Sequence, residues 1–181
     1  MVNHTHKCIF VHITKTGGTS IQTALKLSGS CHVYATKMKD AQYSDYWNDY
    51  FKFSFVRNPW DKMVSQYYFN HTKWVKPDTS FSQYIKKMGA GIKITAYEYL
   101  HLPYLQDKDK TVLVDFIGRF ESLQEDFNAV CDKIETPRLN LRHVNKSNHK
   151  HYTEYYDDET REIVADKFKE DIDHFGYKFG Q

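Results

Sequence analysis

Hydrophobic and polar residues follow two different patterns along the chain. Three mostly apolar runs have the length of β-strands: Cys8–Ile13, Tyr50–Arg57 and Thr111–Gly118. The first run is apolar at nearly every position, which is typical of a strand buried on both faces of a parallel sheet. Elsewhere, apolar residues recur every three or four positions, which indicates helices that pack one face against a core.

The helical pattern predicts helices at about 19–27, Trp60–Phe69, Phe81–Met88, Ala96–Leu105, Ser122–Ile134, and from Asp157 or Asp158 to Phe175. Asn58 and Pro59 are typical of a helix start, and Gly176 is typical of a helix end. We also interpret the polar stretch around Asp40, Asp45 and Asp49 as a helix. Because strands alternate with helices, the sequence predicts an α/β fold, a single P-loop-like domain over residues 1–181 with a central parallel β-sheet flanked by helices.

Composition narrows the class of protein. The chain has 181 residues, enough to bury a core without disulfides or metals. A net charge of +2 from intermixed signs argues against binding to a nucleic acid polymer. No apolar run approaches the ~18 residues of a membrane span, and the N-terminus lacks a signal-peptide pattern, so we expect a soluble, cytoplasmic protein. Cys8, Cys31 and Cys131 are far apart and lack metal-ligand spacing, so we expect small buried thiols.

The segment "IFVHITKTGGTS" joins the first strand to a helix through a loop that contains glycine. Gly17 and Gly18 would let the backbone wrap around a phosphate, Thr19 and Ser20 would add hydroxyl donors, and Lys15 would add a positive charge. The alternative is a plain turn in which Thr19 caps the helix. A nucleoside triphosphatase loop ends in Gly-Lys-Ser/Thr, whereas the lysine precedes the glycines here.

A second segment, "FSFVRNPWDKMVSQYY", places Arg57 at the end of a strand and Ser65 eight residues later. An arginine at this position can hold a phosphate through two oxygens. The alternative is that Arg57 pairs with a local carboxylate such as Asp61. Two phosphate sites at the ends of two strands predict a nucleotide that is phosphorylated on both its 5′ and its 3′ side.

These two segments resemble the 5′-phosphosulfate loop and the 3′-phosphate motif of sulfotransferases. The similarity is greatest to the carbohydrate sulfotransferase branch that includes the heparan sulfate 2-O enzymes (sulfotransferase family 2). The segments "FIGRFESLQEDF", "HVNKS" and "YYDDETREIVADKFKEDIDHFGYKF" are also similar to that branch and occur in the same order. Asn58 stands where the family often has Asp, and either residue can cap the helix.

The resemblance implies transfer of a sulfuryl group from 3′-phosphoadenosine-5′-phosphosulfate (PAPS) to a hydroxyl, which we expect to be on a carbohydrate, without a metal and with 3′,5′-bisphosphoadenosine as product. Lys15 would be the catalytic cation at the leaving oxygen. The residues expected to bind the nucleotide are Lys15, Thr16, Gly17, Gly18, Thr19, Ser20, Arg57, Ser65, Arg119, Asn145 and Ser147. For Arg119, an indirect role beside the nucleotide and a direct contact remain open.

Family members commonly use a histidine or carboxylate between the two phosphate motifs as the general base. His32 is the one histidine in that interval, and an imidazole side chain suits proton abstraction near neutral pH, so we predict that His32 accepts the acceptor's proton. Asp40, Asp45 and Asp49 are the alternatives. Lys37 is either a cation that orients the acceptor or a solvated lysine.

The polar segment "RHVNKSNHKH" leaves three interpretations open: a flap over the nucleotide or an anionic acceptor, a solvated loop, or a zinc site through His149 and His151. For the whole chain, two alternatives to a sulfotransferase remain. One is a small nucleotide kinase, which needs Mg²⁺ and the Gly-Lys-Ser/Thr order that is absent here. The other is a module of the same fold that binds nucleotides or polyanions without catalysis.

Overall fold

A computed structural model of the protein describes residues 1–71, 76, 78–90, 100–142 and 150–181. The chain divides into two compact units, Met1–Arg57 with His101–Val144 and Asn58–Leu100 with Asn145–Gln181. The prediction of a single domain over residues 1–181 stays a prediction. Within the described residues, no helix has the length and apolar character needed to cross a bilayer.

The secondary structure of the described residues confirms the α/β class. The strands are β1 Val2–Asn3, β2 Cys8–Val11, β3 Phe51–Val56 and β4 Phe116–Arg119. The α-helices are α1 Gly18–Ala24, α2 Ala35–Lys37, α3 Pro59–His71, α4 Phe81–Gly89, α5 Leu102–Leu105, α6 Leu123–Lys133, α7 Asp158–Lys167 and α8 Lys169–Phe175.

The sheet of the first unit has the strand order β1-β2-β3-β4. Strands β2, β3 and β4 are parallel, as predicted, whereas the short β1 pairs antiparallel with β2. The sheet is therefore mixed rather than purely parallel. In the register, Val11 pairs with Ser54, and Val56 pairs with Arg119. The three parallel strands consequently end at the same edge of the sheet, which is where α/β proteins bind ligands.

The core of the first unit lies between the sheet and the helices α1 and α6. Alternate residues of β2 and β3 enter this core, including Cys8, Phe10 and Phe53. Ile21 of α1 and Phe127 of α6 cover them. All residues of β2 are buried, so its other face is also covered, which explains the continuous apolar pattern of this strand.

Among the described residues, the α-helices of the second unit are α3, α4, α7 and α8. The Oδ1 atom of Asn58 accepts a hydrogen bond from the backbone N–H of Trp60 at 3.1 Å, so Asn58 caps α3 and Pro59 is its first residue, as predicted. Ser80 caps α4 through a reciprocal pair of hydrogen bonds with Gln83. These two local signals explain why the predicted bounds of α3 and α4 are within two residues of the observed ones.

Several predicted elements are wrong in extent. The third strand begins at Phe116, not Thr111, because residues before it pair with the end of α5 and the residue that follows: the Leu113 N–H donates to the Leu105 carbonyl at 2.8 Å, and Val112 forms a bridge with Gln106. The last helix is two helices that meet at the buried Phe168, although Gly176 ends the second one with φ +68°, as predicted.

The first strand ends at Val11 rather than at Ile13, and the first helix is shorter than predicted. The predicted polar helix is a short π-helix, Met38–Gln42, followed by turns as far as Tyr50. Of the predicted helix Ala96–Leu105, the described part is helical only over Leu102–Leu105, and residues 91–99 lie outside the described residues.

Candidate active site

The loop between β2 and α1 turns sharply. The Thr16 hydroxyl donates to the Ile13 carbonyl at 2.9 Å and closes the loop on itself. Lys15 and Gly17 have left-handed backbones, with φ +63° and +80°. Gly17 is the residue before α1, and its carbonyl accepts from the Ser20 N–H at 3.1 Å. The alternative in which Thr19 caps the helix is therefore wrong, since Thr19 lies inside α1 and is exposed.

His12 packs directly against this loop. Its ring stacks on Phe10, with 5.3 Å between ring centroids, and only 6% of the residue is exposed. A Cβ atom at Gly18 would lie 2.0 Å from the His12 Nε2 atom, so this close approach requires glycine. Burial, reinforced by the neighbouring His32, lowers the pKa of His12 to about 3. His12 is therefore a neutral imidazole at neutral pH. It is a residue of the site that sequence analysis missed, although a histidine within an apolar strand was a visible signal.

His32 lies beside His12. The ring centroids of the two residues are 4.6 Å apart, and His32 is half-buried with a left-handed backbone, φ +57°. Because His12 packs against the glycine loop and His32 lies beside His12, the predicted base is close to this loop. The adjacent Cys31 is exposed, so the prediction that it is buried is wrong, whereas Cys8 and Cys131 are buried as predicted. Burial raises the pKa of Cys8 to about 11.

Arg57 contacts the same loop from the end of β3. It is 7% exposed, and its Nη1 atom donates to the Lys15 carbonyl at 3.1 Å. The guanidinium carbon lies 3.9 Å from the centroid of the Phe120 ring, and the Arg57 N–H donates to Nε2 of the buried His101 at 3.3 Å. The contacts with the Lys15 carbonyl and the Phe120 ring hold the side chain in one place. The structure thus brings together two motifs that are about forty residues apart in sequence.

The end of β4 adds Arg119 to this edge of the sheet. The Arg119 N–H donates to Oδ2 of Asp126 at 2.6 Å, and the Ser122 hydroxyl donates to the same oxygen at 2.9 Å. The Arg119 side chain is exposed, while the next residue, Phe120, lies under the Arg57 guanidinium. The segment after β4 therefore supports Arg57 directly through Phe120.

Comparison with known proteins gives the family of this chain. The model of a protein family described as "Sulfotransferase family" matches residues 1–178. The chain belongs to the sulfotransferase family. An uncharacterized protein of Archaeoglobus fulgidus is 36% identical over 90 residues, which cover 49% of this chain and 70% of the relative. No solved structure gives a significant match.

The structure also describes several other predicted residues of this sulfotransferase. Ser65 is a buried residue of α3 in the second unit. Lys37 is exposed at the end of α2, as expected of a solvated lysine, and the three alternative bases, Asp40, Asp45 and Asp49, are also exposed.

Asn145 and Ser147 lie outside the described residues, as does His149 of the suggested zinc site. The other histidine of that site, His151, is exposed, and its Nδ1 atom is 2.7 Å from the Thr153 hydroxyl. The zinc site through His149 and His151 therefore stays a prediction.

Proposed function

We propose that this sulfotransferase moves the sulfuryl group of PAPS to a hydroxyl of a carbohydrate acceptor, on a P-loop-like fold. The observation that carries the proposal is the 3.1 Å hydrogen bond from Arg57 to the Lys15 carbonyl, because it joins the predicted 3′-phosphate residue to the predicted phosphosulfate loop. PAPS carries phosphate on both the 5′ and the 3′ side of its ribose. Two positively charged residues close together, Lys15 and Arg57, would suit these two phosphates.

In this proposal, Lys15, Thr16 and the backbone N–H groups of Gly17–Ser20 bind the 5′-phosphosulfate. The left-handed backbones of Lys15 and Gly17 support this role, since loops of this kind turn successive N–H groups toward an anion. Arg57 and Ser65 bind the 3′-phosphate. Because the guanidinium of Arg57 is already held by Phe120 and by a carbonyl, little side-chain freedom is lost when the nucleotide binds.

Additional nucleotide contacts are assigned to Arg119, Asn145 and Ser147. The exposure of Arg119 next to Phe120 supports a contact of Arg119 with the nucleotide or a role in holding Arg57 through the neighbouring ring. Asn145 and Ser147 are assigned on sequence resemblance alone.

The proposed transfer is an in-line displacement at sulfur. The acceptor oxygen forms a bond to sulfur while the bond from sulfur to the 5′-phosphate oxygen breaks, and the acceptor's proton passes to His32. The ammonium group of Lys15 stabilises the charge on the leaving oxygen. The products are the sulfated acceptor and 3′,5′-bisphosphoadenosine. The proximity of His32 to His12, and of His12 to Gly18, supports His32 as the base.

Transfer of labelled sulfate from PAPS to a panel of glycans, lipids and small alcohols tests the proposal. We expect labelled product on at least one carbohydrate acceptor, in the presence of EDTA. Transfer of phosphate from ATP with an absolute need for Mg²⁺ would favour the nucleotide kinase instead. Tight binding of 3′,5′-bisphosphoadenosine without transfer to any acceptor would favour a binding module that lacks catalysis.

Calorimetry separates the two phosphate sites. We expect 3′,5′-bisphosphoadenosine to bind far more tightly than AMP or ATP, because only the bisphosphate would occupy both the loop and Arg57. Equal affinity for AMP would contradict the role given to Arg57 and Ser65.

A further inference from the structure

Three potential metal ligands meet at the edge of the proposed active site. Among the residues that the structure describes, His12, Cys31 and His32 offer nitrogen and sulfur atoms that all lie within 4.8 Å of one another. Cys31 and His32 are neighbours in sequence, and in extended backbone their side chains would point to opposite sides. The left-handed backbone of His32, φ +57°, departs from that arrangement.

The three residues differ in burial in a way that suits a site open to solvent. His12 is buried, His32 is half-buried and Cys31 is exposed. The Nε2 atom of His12 faces Gly18, which leaves Nδ1 as the nitrogen available to a ligand. This Nδ1 atom is buried and has no hydrogen-bond partner among the described residues. A buried polar atom without a partner is unfavourable, so a bond from this nitrogen to a metal ion would be stabilising.

We propose that His12, Cys31 and His32 form a binding site for Zn²⁺, with the fourth coordination position open. Imidazole nitrogen and thiolate sulfur are the ligands that Zn²⁺ prefers, and three protein ligands with one open position are a common zinc arrangement. The thiol of Cys31 releases its proton to solvent when it binds the ion.

Only a small movement is needed to bring the ligand atoms to bonding distance. Bonds of about 2.0–2.3 Å to Zn²⁺ place tetrahedral ligand atoms about 3.3–3.8 Å apart, roughly 1 Å closer than the largest separation here. His12 is held between Phe10 and Gly18, so it serves as the fixed ligand. The exposed Cys31 can supply the movement.

Occupancy of this site regulates the transfer reaction, and this consequence rests on the proposed function. A nitrogen of His32 that is bound to Zn²⁺ uses its lone pair in that bond and no longer accepts a proton from the acceptor hydroxyl. Zn²⁺ is therefore an inhibitor that acts by sequestering the base, and its removal restores activity.

The site is tested with Co²⁺ as a spectroscopic probe on the full chain, after reduction and removal of bound metal. We expect about one equivalent of Co²⁺ to produce the near-ultraviolet absorption of a cobalt–thiolate bond, and Zn²⁺ to abolish it. Cys31→Ser should eliminate this absorption and weaken Zn²⁺ binding. Loss of a residue that only supports a metal ligand typically weakens binding by about 10–100-fold, and we expect a larger effect for loss of the ligand Cys31 itself. Cys131→Ala is the matched control and should retain the absorption, because Cys131 is buried in the core.

The absence of the thiolate absorption in the wild type, or its persistence in Cys31→Ser, would overturn the site. Weakened binding in His12→Gln would confirm that the buried histidine is a ligand, whereas unchanged Co²⁺ affinity would refute it.

For inhibition, the ratio of transfer rates with and without Zn²⁺ is compared for each variant. Equal inhibition of wild type and Cys31→Ser would refute the regulatory role. Failure to detect any transfer without metal would contradict the proposed function and leave the Co²⁺ result intact.

Discussion

The contact between His12 and Gly18 predicts that Gly18→Ala lowers the free energy of unfolding, although it replaces a glycine within a helix. In a helix, alanine is favoured over glycine by roughly 0.5–1 kcal/mol, so helix propensity alone predicts a more stable protein. A Cβ at this position would lie 2.0 Å from Nε2 and 2.1 Å from Cδ2 of the His12 ring, and both atoms belong to a buried ring stacked on Phe10. Because overpacking a core costs about 1–3 kcal/mol, we expect a net loss of about 1–2 kcal/mol in the free energy of unfolding.

A double-mutant cycle isolates this contact. In a His12→Ala background the ring is absent, so Gly18→Ala should be neutral or stabilising by up to about 1 kcal/mol. The coupling energy between the two positions should then be about 2 kcal/mol, well beyond the ~0.5 kcal/mol within which independent sites add. The free energies come from urea denaturation of all four proteins, with the slope of each transition checked for constancy.

Gly176→Ala is the matched control. Gly176 has φ +68°, and an added Cβ there would meet nothing within 4 Å. We expect a loss of about 1–2 kcal/mol from backbone strain alone, without coupling to His12. Two results would refute the close contact. One is a Gly18→Ala protein as stable as the wild type. The other is a double mutant whose change in the free energy of unfolding equals the sum of the two single-mutant changes within ~0.5 kcal/mol.

Other predictions concern charge and catalysis. The unfolded chain protonates His12 near pH 6.5 and the folded chain only near pH 3, so His12 contributes a loss of stability as pH falls below about 6.5, about 2 kcal/mol at pH 5. Urea melts at neutral pH and at about pH 5 should show that His12→Gln lacks this contribution. Arg57→Ala should weaken binding of 3′,5′-bisphosphoadenosine by ~2–4 kcal/mol in calorimetry, and Arg57→Lys should only partly restore it, because lysine lacks the planar donor pair. His32→Ala should lower turnover by roughly 10²–10⁴-fold while nucleotide affinity is retained. Wild-type turnover in this variant would contradict His32 as the base and favour Asp40, Asp45 or Asp49. Transfer should survive EDTA, and strict dependence on Mg²⁺ would contradict the assigned chemistry.

The sequence by itself determined those features that depend on neighbouring residues. Asn58 and Pro59 predict the start of α3 because the cap and the missing N–H act within one turn. Gly176 ends α8 for an equally local reason, a left-handed backbone that glycine tolerates. The apolar run of β2 likewise indicates a strand covered on both faces. In each case, the residues that determine the feature are neighbours in the sequence.

The tertiary structure decided what depends on pairing between distant segments. The predicted start of β4 is wrong because residues before Phe116 pair with Leu105 and Gln106 at the end of α5, which no local pattern encodes. Sheet order and register bring Arg57 to the Lys15 carbonyl and Arg119 to the same edge. The His12 ring packs on Gly18, six residues later, and Cys31 and His32 approach this ring from a segment some twenty residues away. Sequence patterns report the chemistry of each segment, whereas the distances between segments follow from how the whole sheet and its helices pack.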